Sequence, residues 1–129
     1  MIIMTLKKLL NELLDIVDLN SELCPWFSSS TSDDFFNEFK GEIKEVEDSY
    51  SRENLEEELG DVLWDYLILI HKLDDEKKIN KENVINTIIE KIKRRKPYLI
   101  KGKKVSKETA HEIWVKEKGK EKLHRNNII

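Results

Sequence analysis

The sequence predicts an all-α fold: a compact antiparallel bundle of about four to five helices, in one domain over residues 1–129. Three observations lead there. No segment sustains the apolar–polar alternation of a half-buried strand, while apolar residues recur at three- and four-residue steps. Only 4 glycines and 2 prolines interrupt the 129 residues. That length suffices for one real core and is short for two.

The first helix is predicted over about Thr5 to Leu19, with Leu6, Leu9, Leu10, Leu13, Leu14 and Val17 as its apolar stripe. NSELCPWFSSSTS reads as a loop ended by Pro25 and a serine run. A Thr31/Ser32 cap opens helix two, with Asp33 and Asp34 on the favourable end of its dipole, and the helix runs to about Ser49. Ser51 caps helix three, which runs to about Leu73. Asn80 caps helix four, which must stop before Pro97 because the residue preceding a proline is pushed out of the helical region. LIKGKKVS is a loop, and Ser106 opens a last helix to about Lys118.

Helix three carries a stripe of Leu55, Leu59, Val62, Leu63, Tyr66, Ile70 and Leu73. Trp64, Leu67 and Ile68 lie on the opposite face. A helix apolar nearly all round is buried on two sides. The second face is therefore expected to pack in a homo-oligomer, a dimer or a tetramer.

Charged residues make up 38% of the chain and hydrophobic residues 39%, a balance that suits a soluble helical protein and not a disordered one. The one cysteine, Cys24, excludes an internal disulfide and suits a reducing compartment. MIIMTLKKLL is too short and too interrupted by lysine for a signal peptide. The longest apolar run, Tyr66 to Ile70, is far short of a bilayer span. A cytoplasmic location without membrane contact is the expectation.

The net charge of −3 is unevenly placed. Acids crowd the stretch from Asp33 to Asp65, opposed only by Lys40, Lys44 and Arg52. From Lys91 to Lys107 the balance reverses. An acidic middle and a basic tail suit a metal site beside an anion site, and equally a self-complementary fold.

The placement of the acids is more telling than their number. At about 100° per residue, Phe35, Phe39, Ile43, Val46 and Tyr50 fall on one arc of helix two. Glu42 lies at the edge of that arc, with Glu38 and Glu45 on the same flank. On helix three, Glu58, Asp61 and Asp65 flank the apolar stripe. Two helices that each set an i, i+3 carboxylate pair beside their seam bring four carboxylates together when they pack side by side. Such a group repels itself unless neutralised. A hard divalent cation, Mg²⁺ or Mn²⁺, prefers oxygen donors and can do this. The plainer alternative is a set of solvated acids that merely border the core.

CPW at Cys24–Trp26, EIKE at Glu42–Glu45, ELGD at Glu58–Asp61, KIKRRKPYLI at Lys91–Ile100 and IWVKEK at Ile113–Lys118 together resemble the MazG family of all-α nucleoside triphosphate pyrophosphohydrolases. The resemblance runs from about Leu6 to Lys122 and rests on the order and spacing of motifs that are each weak alone. It implies that Glu42, Glu45, Glu58 and Asp61 bind Mg²⁺ together with the phosphates of a nucleotide. It implies further that Lys91, Arg95, Trp114 and Lys118 approach that nucleotide, and that Glu38 and Asp65 stand behind the ligands or face the substrate. Two departures stand out. FSSST follows CPW where the family carries an Asp and a Gln-Thr, with only Thr31 matching, so the resemblance does not give the nucleotide selectivity. Gly41 stands where the family often has a further Glu.

The implied reaction cleaves a nucleoside triphosphate between its α and β phosphorus atoms, as nucleotide-pool housekeeping. Such chemistry asks for positioning and charge neutralisation more than covalent help. Glu45 is the first choice to orient or deprotonate the attacking water. Lys91 and Arg95, one turn apart, can neutralise the departing pyrophosphate, the arginine through a bidentate contact. Each assignment has a plainer counterpart. Cations at the end of a helix are stabilised by its dipole, by about 0.3–1 kcal/mol each. Trp114 can be a core or dimer aromatic.

Three rival functions were weighed against this. A helical homodimer binding nucleic acid or a protein through its basic segment leaves the acidic seam unexplained. A di-iron carboxylate bundle wants two Glu-x-x-His pairs on separate helices, and the chain has one, Glu108 to His111. A purely structural dimer predicts no functional consequence from Glu58→Gln. Gly60, costing a helix interior about 1 kcal/mol relative to Ala, is expected to let a neighbouring helix or the nucleotide approach closely.

Overall fold

The computed structural model describes residues 5–127, and all regular structure among them is helical. The element order is α1 (Leu6–Leu23), α2 (Pro25–Ser29), α3 (Ser32–Glu47), α4 (Arg52–Asp75), α5 (Lys81–Arg95), α6 (Pro97–Ile100) and α7 (Lys107–Asn127). The all-α expectation holds. Seven helices among the described residues replace the expected four to five, because two short helices fill stretches that read as loop. Pro25 is the reason for the first: it supplies the first residue of α2, where a proline's fixed φ and missing N–H suit a helix start. Pro97 opens α6 in the same way. The first and last long helices also run further than expected, α1 to Leu23 and α7 to Asn127. The chain divides into two units, residues 1–81 and 82–129.

Polar caps set the starts of the long helices. The Lys8 amide donates to Thr5 Oγ1 at 3.2 Å. At α3 the Asp34 amide donates to Thr31 Oγ1 while the Thr31 amide donates to Asp34 Oδ2 at 2.8 Å, a reciprocal capping box. Ser51 Oγ accepts from the Asn54 amide at 3.0 Å. Ser106 Oγ accepts from the Thr109 amide at 3.1 Å. In the sequence, Thr31, Ser51 and Ser106 are read as caps, and here they are.

In the first unit α3 and α4 form the most extensive pairing, and α1 packs on α4 and α2. Contacts between α3 and α4 show the pair to be antiparallel. The Ser32 amide at the start of α3 donates to Glu76, just past the end of α4, at 3.0 Å. Midway, the Phe39 and Tyr66 rings lie 5.8 Å apart. The core is Val17, Phe27 and Ile68, with Leu13, Cys24, Phe35, Trp64 and Leu67 packed against it.

This core buries a face of α4 that was expected to meet another copy. Trp64, Leu67 and Ile68, expected to meet another copy, face α1 and α2 of the same chain. Of the stripe expected in the bundle interior, Ile70 is buried and Val62 and Leu73 are half-buried, while Leu55, Leu59, Leu63 and Tyr66 are exposed, Leu59 by 51%. The cause is α2: by folding Phe27 back under α1 it covers the face that a loop would have left bare. Gly60 is likewise reassigned, since a Cβ there would meet no atom within 4 Å and no neighbouring helix approaches it.

The last turns of α4 hold the segment that joins α2 to α3. Lys72 is only 5% exposed. Its Nζ donates to the Phe27 carbonyl at 2.8 Å and lies 4.8 Å from the Phe27 ring centroid. Lys78 Nζ donates to Ser32 Oγ at 3.1 Å. The Ser32 hydroxyl, the Lys78 ammonium at 3.1 Å and the Ser32 amide all act on the Glu76 carboxyl and hold it down to about 2. In the second unit α5 and α7 are joined by Arg95, whose Nη2 and Nε lie 2.8 and 3.2 Å from the two Glu121 carboxylate oxygens. No helix among the described residues is long and apolar enough to cross a membrane.

Lys72→Met keeps the apolar stem and removes the donor, leaving a buried carbonyl unpaired. Its expected cost is about 1–3 kcal/mol, read as a lower urea midpoint at unchanged slope.

Candidate metal centre and the adjoining cavity

The antiparallel α3–α4 pair brings Glu42 beside Glu58 and Asp61. Oxygens from these three side chains all lie within 4.8 Å of one another. Glu42 and Glu58 are half-buried and Asp61 is exposed. Glu45, the fourth expected ligand, stands outside that trio and hydrogen-bonds to both Glu58 and Glu42. Asn54 Nδ2 donates to Glu58 Oε1 at 3.4 Å, which fixes one oxygen of that carboxylate.

The electrostatics are those of acids short of counter-charge. The Glu42 carboxyl is pushed above its ordinary value by burial first, then by Asp61 and Asp65. That of Glu58 is raised by its hydrogen bond with Glu45, then by burial and by the charges of Glu45 and Asp61. Asp65 is raised furthest, to about 6, by burial and by Glu38, Asp61 and Glu45. Two oxygens, Glu42 Oε2 and Glu58 Oε2, are buried with no hydrogen-bond partner. Unpaired buried carboxylate oxygens are expensive. A donor set made only of such oxygens, converging within a few ångströms, fits a hard divalent cation.

Asp65 and Glu38, expected behind the ligands, border a cavity of about 510 Å³ that also contacts Asn20, Trp26, Phe35 and Trp64. Sequence reasoning missed this cavity because it treated CPWFSSS as a loop with no fixed geometry. The signal was there in part: Asp65 is an acid set between Trp64 and Ile68 on an apolar face.

Lys91, Arg95, Trp114 and Lys118 belong to the second unit. The Arg95 guanidinium pairs with Glu121 and stacks 4.7 Å from the Trp114 ring centroid. Trp114 thus takes up the arginine as well as packing in its unit. Lys91 and Arg95 border a cavity of about 560 Å³ with Arg94, Lys120, Glu121 and Arg125. Lys118 is exposed. Much of the basic character is spent internally, since Arg94 also reaches Glu121 at 3.8 Å, Lys93 reaches Glu90 at 3.7 Å and Lys120 reaches Glu117 at 3.2 Å.

An antiparallel helix pair with carboxylates clustered at its seam defines an all-helical protein with a candidate cation site. The comparisons narrow it. Residues 31–100, which contain the whole acidic seam, match the MazG nucleotide pyrophosphohydrolase domain. The chain is also similar to the crystal structure of a MazG-related protein from Thermotoga maritima, at 32% identity and a TM-score of 0.78, over 84% of this chain and 98% of that one. The chain belongs to the MazG nucleotide pyrophosphohydrolase family. No curated protein matches it.

Raised carboxyl values have a definite sign. In the metal-free protein Glu42, Glu58 and Asp65 hold protons that the unfolded chain has already lost, so their contribution to stability falls as pH rises above their ordinary range, for Asp65 up to about 6. Glu76 acts oppositely: its contribution is full above its ordinary value and is lost only as pH falls toward about 2. Thermal melts of chelator-treated protein are expected to show the decline above about pH 4, and added Mg²⁺ to reverse it. Glu42→Gln is expected to raise the metal-free melting temperature near neutral pH and to shrink the Mg²⁺-dependent gain.

Proposed function

We propose that the protein is a Mg²⁺-dependent nucleoside triphosphate pyrophosphohydrolase, splitting ribo- or deoxyribonucleoside triphosphates into a monophosphate and pyrophosphate as nucleotide-pool housekeeping. The observation that carries this is the convergence of Glu42, Glu58 and Asp61 on one point in a chain of this family. Glu42, Glu58 and Asp61, with Glu45 beside them, would hold Mg²⁺ or Mn²⁺. Bound there, the ion supplies charge neutralisation for the triphosphate and acidifies a water.

The chain's own residues account for the remaining requirements. Glu45, exposed beside the cluster, accepts the proton of the attacking water once it is ionised. The water oxygen bonds to the α phosphorus, the bridging bond to the β phosphate breaks, and pyrophosphate leaves with the electron pair. Glu42 and Glu58 are pre-set by the α3–α4 seam, so little rearrangement is required as charge develops. In the second unit, Lys91 and Lys118 offer cationic groups of the kind that binds a triphosphate, whereas Arg95 would have to give up part of its bond to Glu121.

Self-association into a dimer or tetramer is a further part of this proposal. Its support is the exposure of Leu55, Leu59, Leu63 and Tyr66 along α4. Leu63→Lys is expected to lower the sedimentation coefficient to that of a monomer, and an unchanged value excludes this face.

The catalytic test is product analysis with Mg²⁺ and each common ribo- and deoxyribonucleoside triphosphate. Monophosphate and pyrophosphate are expected in equal amounts. Glu45→Gln and Asp61→Asn are each expected to lower the rate by about 10²–10⁴-fold. Release of orthophosphate, or activity that survives both substitutions, overturns the mechanism.

A further inference from the structure

We propose that Asp65 makes the protein selective for guanine nucleotides, by reading the N1–H and N2–H₂ donors of a guanine held in the cavity between α1, α2, α3 and α4. The inference rests on the pyrophosphohydrolase reading for what the bound nucleotide then undergoes, but not for the base preference itself.

The cavity, about 510 Å³, is large enough for a purine nucleoside and has the composition of a base site. Trp64 and Phe35 supply flat apolar surface from α4 and α3. Trp26, 78% exposed, stands at the lip, where it can close over a ring. Stacking on such side chains is tolerant of base identity. Selectivity must therefore come from the polar groups of the wall, and the strongest of these are carboxylates, Asp65 and Glu38.

The donor pattern decides among bases. An ionised carboxylate only accepts. Guanine alone of the common bases presents two adjacent donors, N1–H and N2–H₂, that match both oxygens. Adenine and cytosine place a ring acceptor beside their amino group, and uracil and thymine flank their single N–H with two carbonyl oxygens. Each would set a lone pair against the carboxylate. Guanine O6 then needs a donor, and the Asn20 amide and the Ser30 hydroxyl are both on the wall.

Position supports the assignment. Asp65 lies one helical turn after Asp61 on α4. Asp65 lines the cavity beside Glu38 and is one turn from the carboxylate cluster, so it stands between the two. A base in the cavity thus leaves its phosphates free to run toward Glu42, Glu58 and Asp61. Phe27 and Ser30, which help complete the cavity wall, belong to the FSSST stretch that departs from the family pattern after CPW, and Lys72 pins that stretch through the Phe27 carbonyl.

The test is equilibrium binding of GMP, IMP and AMP to the full chain with Mg²⁺, above pH 7, followed by tryptophan fluorescence. IMP differs from GMP only in lacking the 2-amino group. GMP is expected to bind about 10- to 100-fold more tightly than either, as suits hydrogen bonds to a charged group. Asp65→Asn is expected to erase most of that ratio, and its melting temperature reports whether it folds. Equal affinities in the wild-type protein, or a ratio that survives Asp65→Asn, overturn the inference. Turnover of triphosphates without guanine preference would sink this inference and leave the pyrophosphohydrolase reading standing. Guanine-selective binding without pyrophosphate release would do the reverse.

Discussion

Glu42 and Glu58 face each other across the α3–α4 seam, each with one oxygen buried and unpaired. The free energy of that opposition comes from the helix pairing around it. The Phe39–Tyr66 ring contact and the ties from Ser32 to Glu76 and Lys78 lie at other levels of the seam, and they hold α3 and α4 in a register that the acids alone would push apart. The site is thus a place where packing opposes electrostatics, as is usual for a site that awaits a cation. Placing the acids at the edge of the seam limits the cost. Asp61 is exposed, and a wholly interior cluster of the same charges would be far harder to hold.

The same logic explains the clamp on the segment between α2 and α3. The carboxylate cluster and the adjoining cavity share α3 and α4, but the far wall of the cavity comes from residues 24–30. A segment this short has little core of its own. It is fixed by anchoring its backbone and its ends: Lys72 takes the Phe27 carbonyl, Lys78 takes the Ser32 hydroxyl, and Glu76 takes the Ser32 amide. Lysine suits the buried role because its ammonium lies over the Phe27 ring while still reaching Asp75 at 3.7 Å. The end of α4 therefore does for the cavity what the α3–α4 seam does for the acids.

Much of this was legible in the sequence. The starts of α1, α3, α4 and α7 follow from Thr5, Thr31, Ser51 and Ser106, because a cap is a local hydrogen bond that needs no tertiary partner. The convergence of Glu42, Glu58 and Asp61 also follows, because i, i+3 spacing beside an apolar stripe fixes where side chains point once two helices pair. What could not be read was which face of α4 meets its own chain. Trp64, Leu67 and Ile68 and the stripe of Leu59, Leu63 and Tyr66 are alike in composition. The choice between them depends on Phe27, which a reading of CPWFSSS as loop left without a position. The Arg95–Glu121 pair was missed for a related reason: its partners are far apart in sequence, and α7 extends beyond the expected end at Lys118 to carry Glu121.

Which face of α4 is buried bears on how the helix carries both stability and chemistry. Its buried side, ending in Ile68, Leu69 and Ile70, anchors α1 and α2 and so completes the cavity. Its acidic flank sets Glu58, Asp61 and Asp65 at successive turns, from the carboxylate cluster to the cavity wall. Its remaining side leaves Leu59 and Leu63 in solvent, where an apolar strip on a single chain is a cost unless covered. Had the interior been built on that strip, as its composition alone suggested, Trp64 would have turned outward. The cavity would then have lost its aromatic wall, and Asp65 its burial. One sequence thus serves three surfaces, and α2, a helix of five residues, decides which apolar side is which.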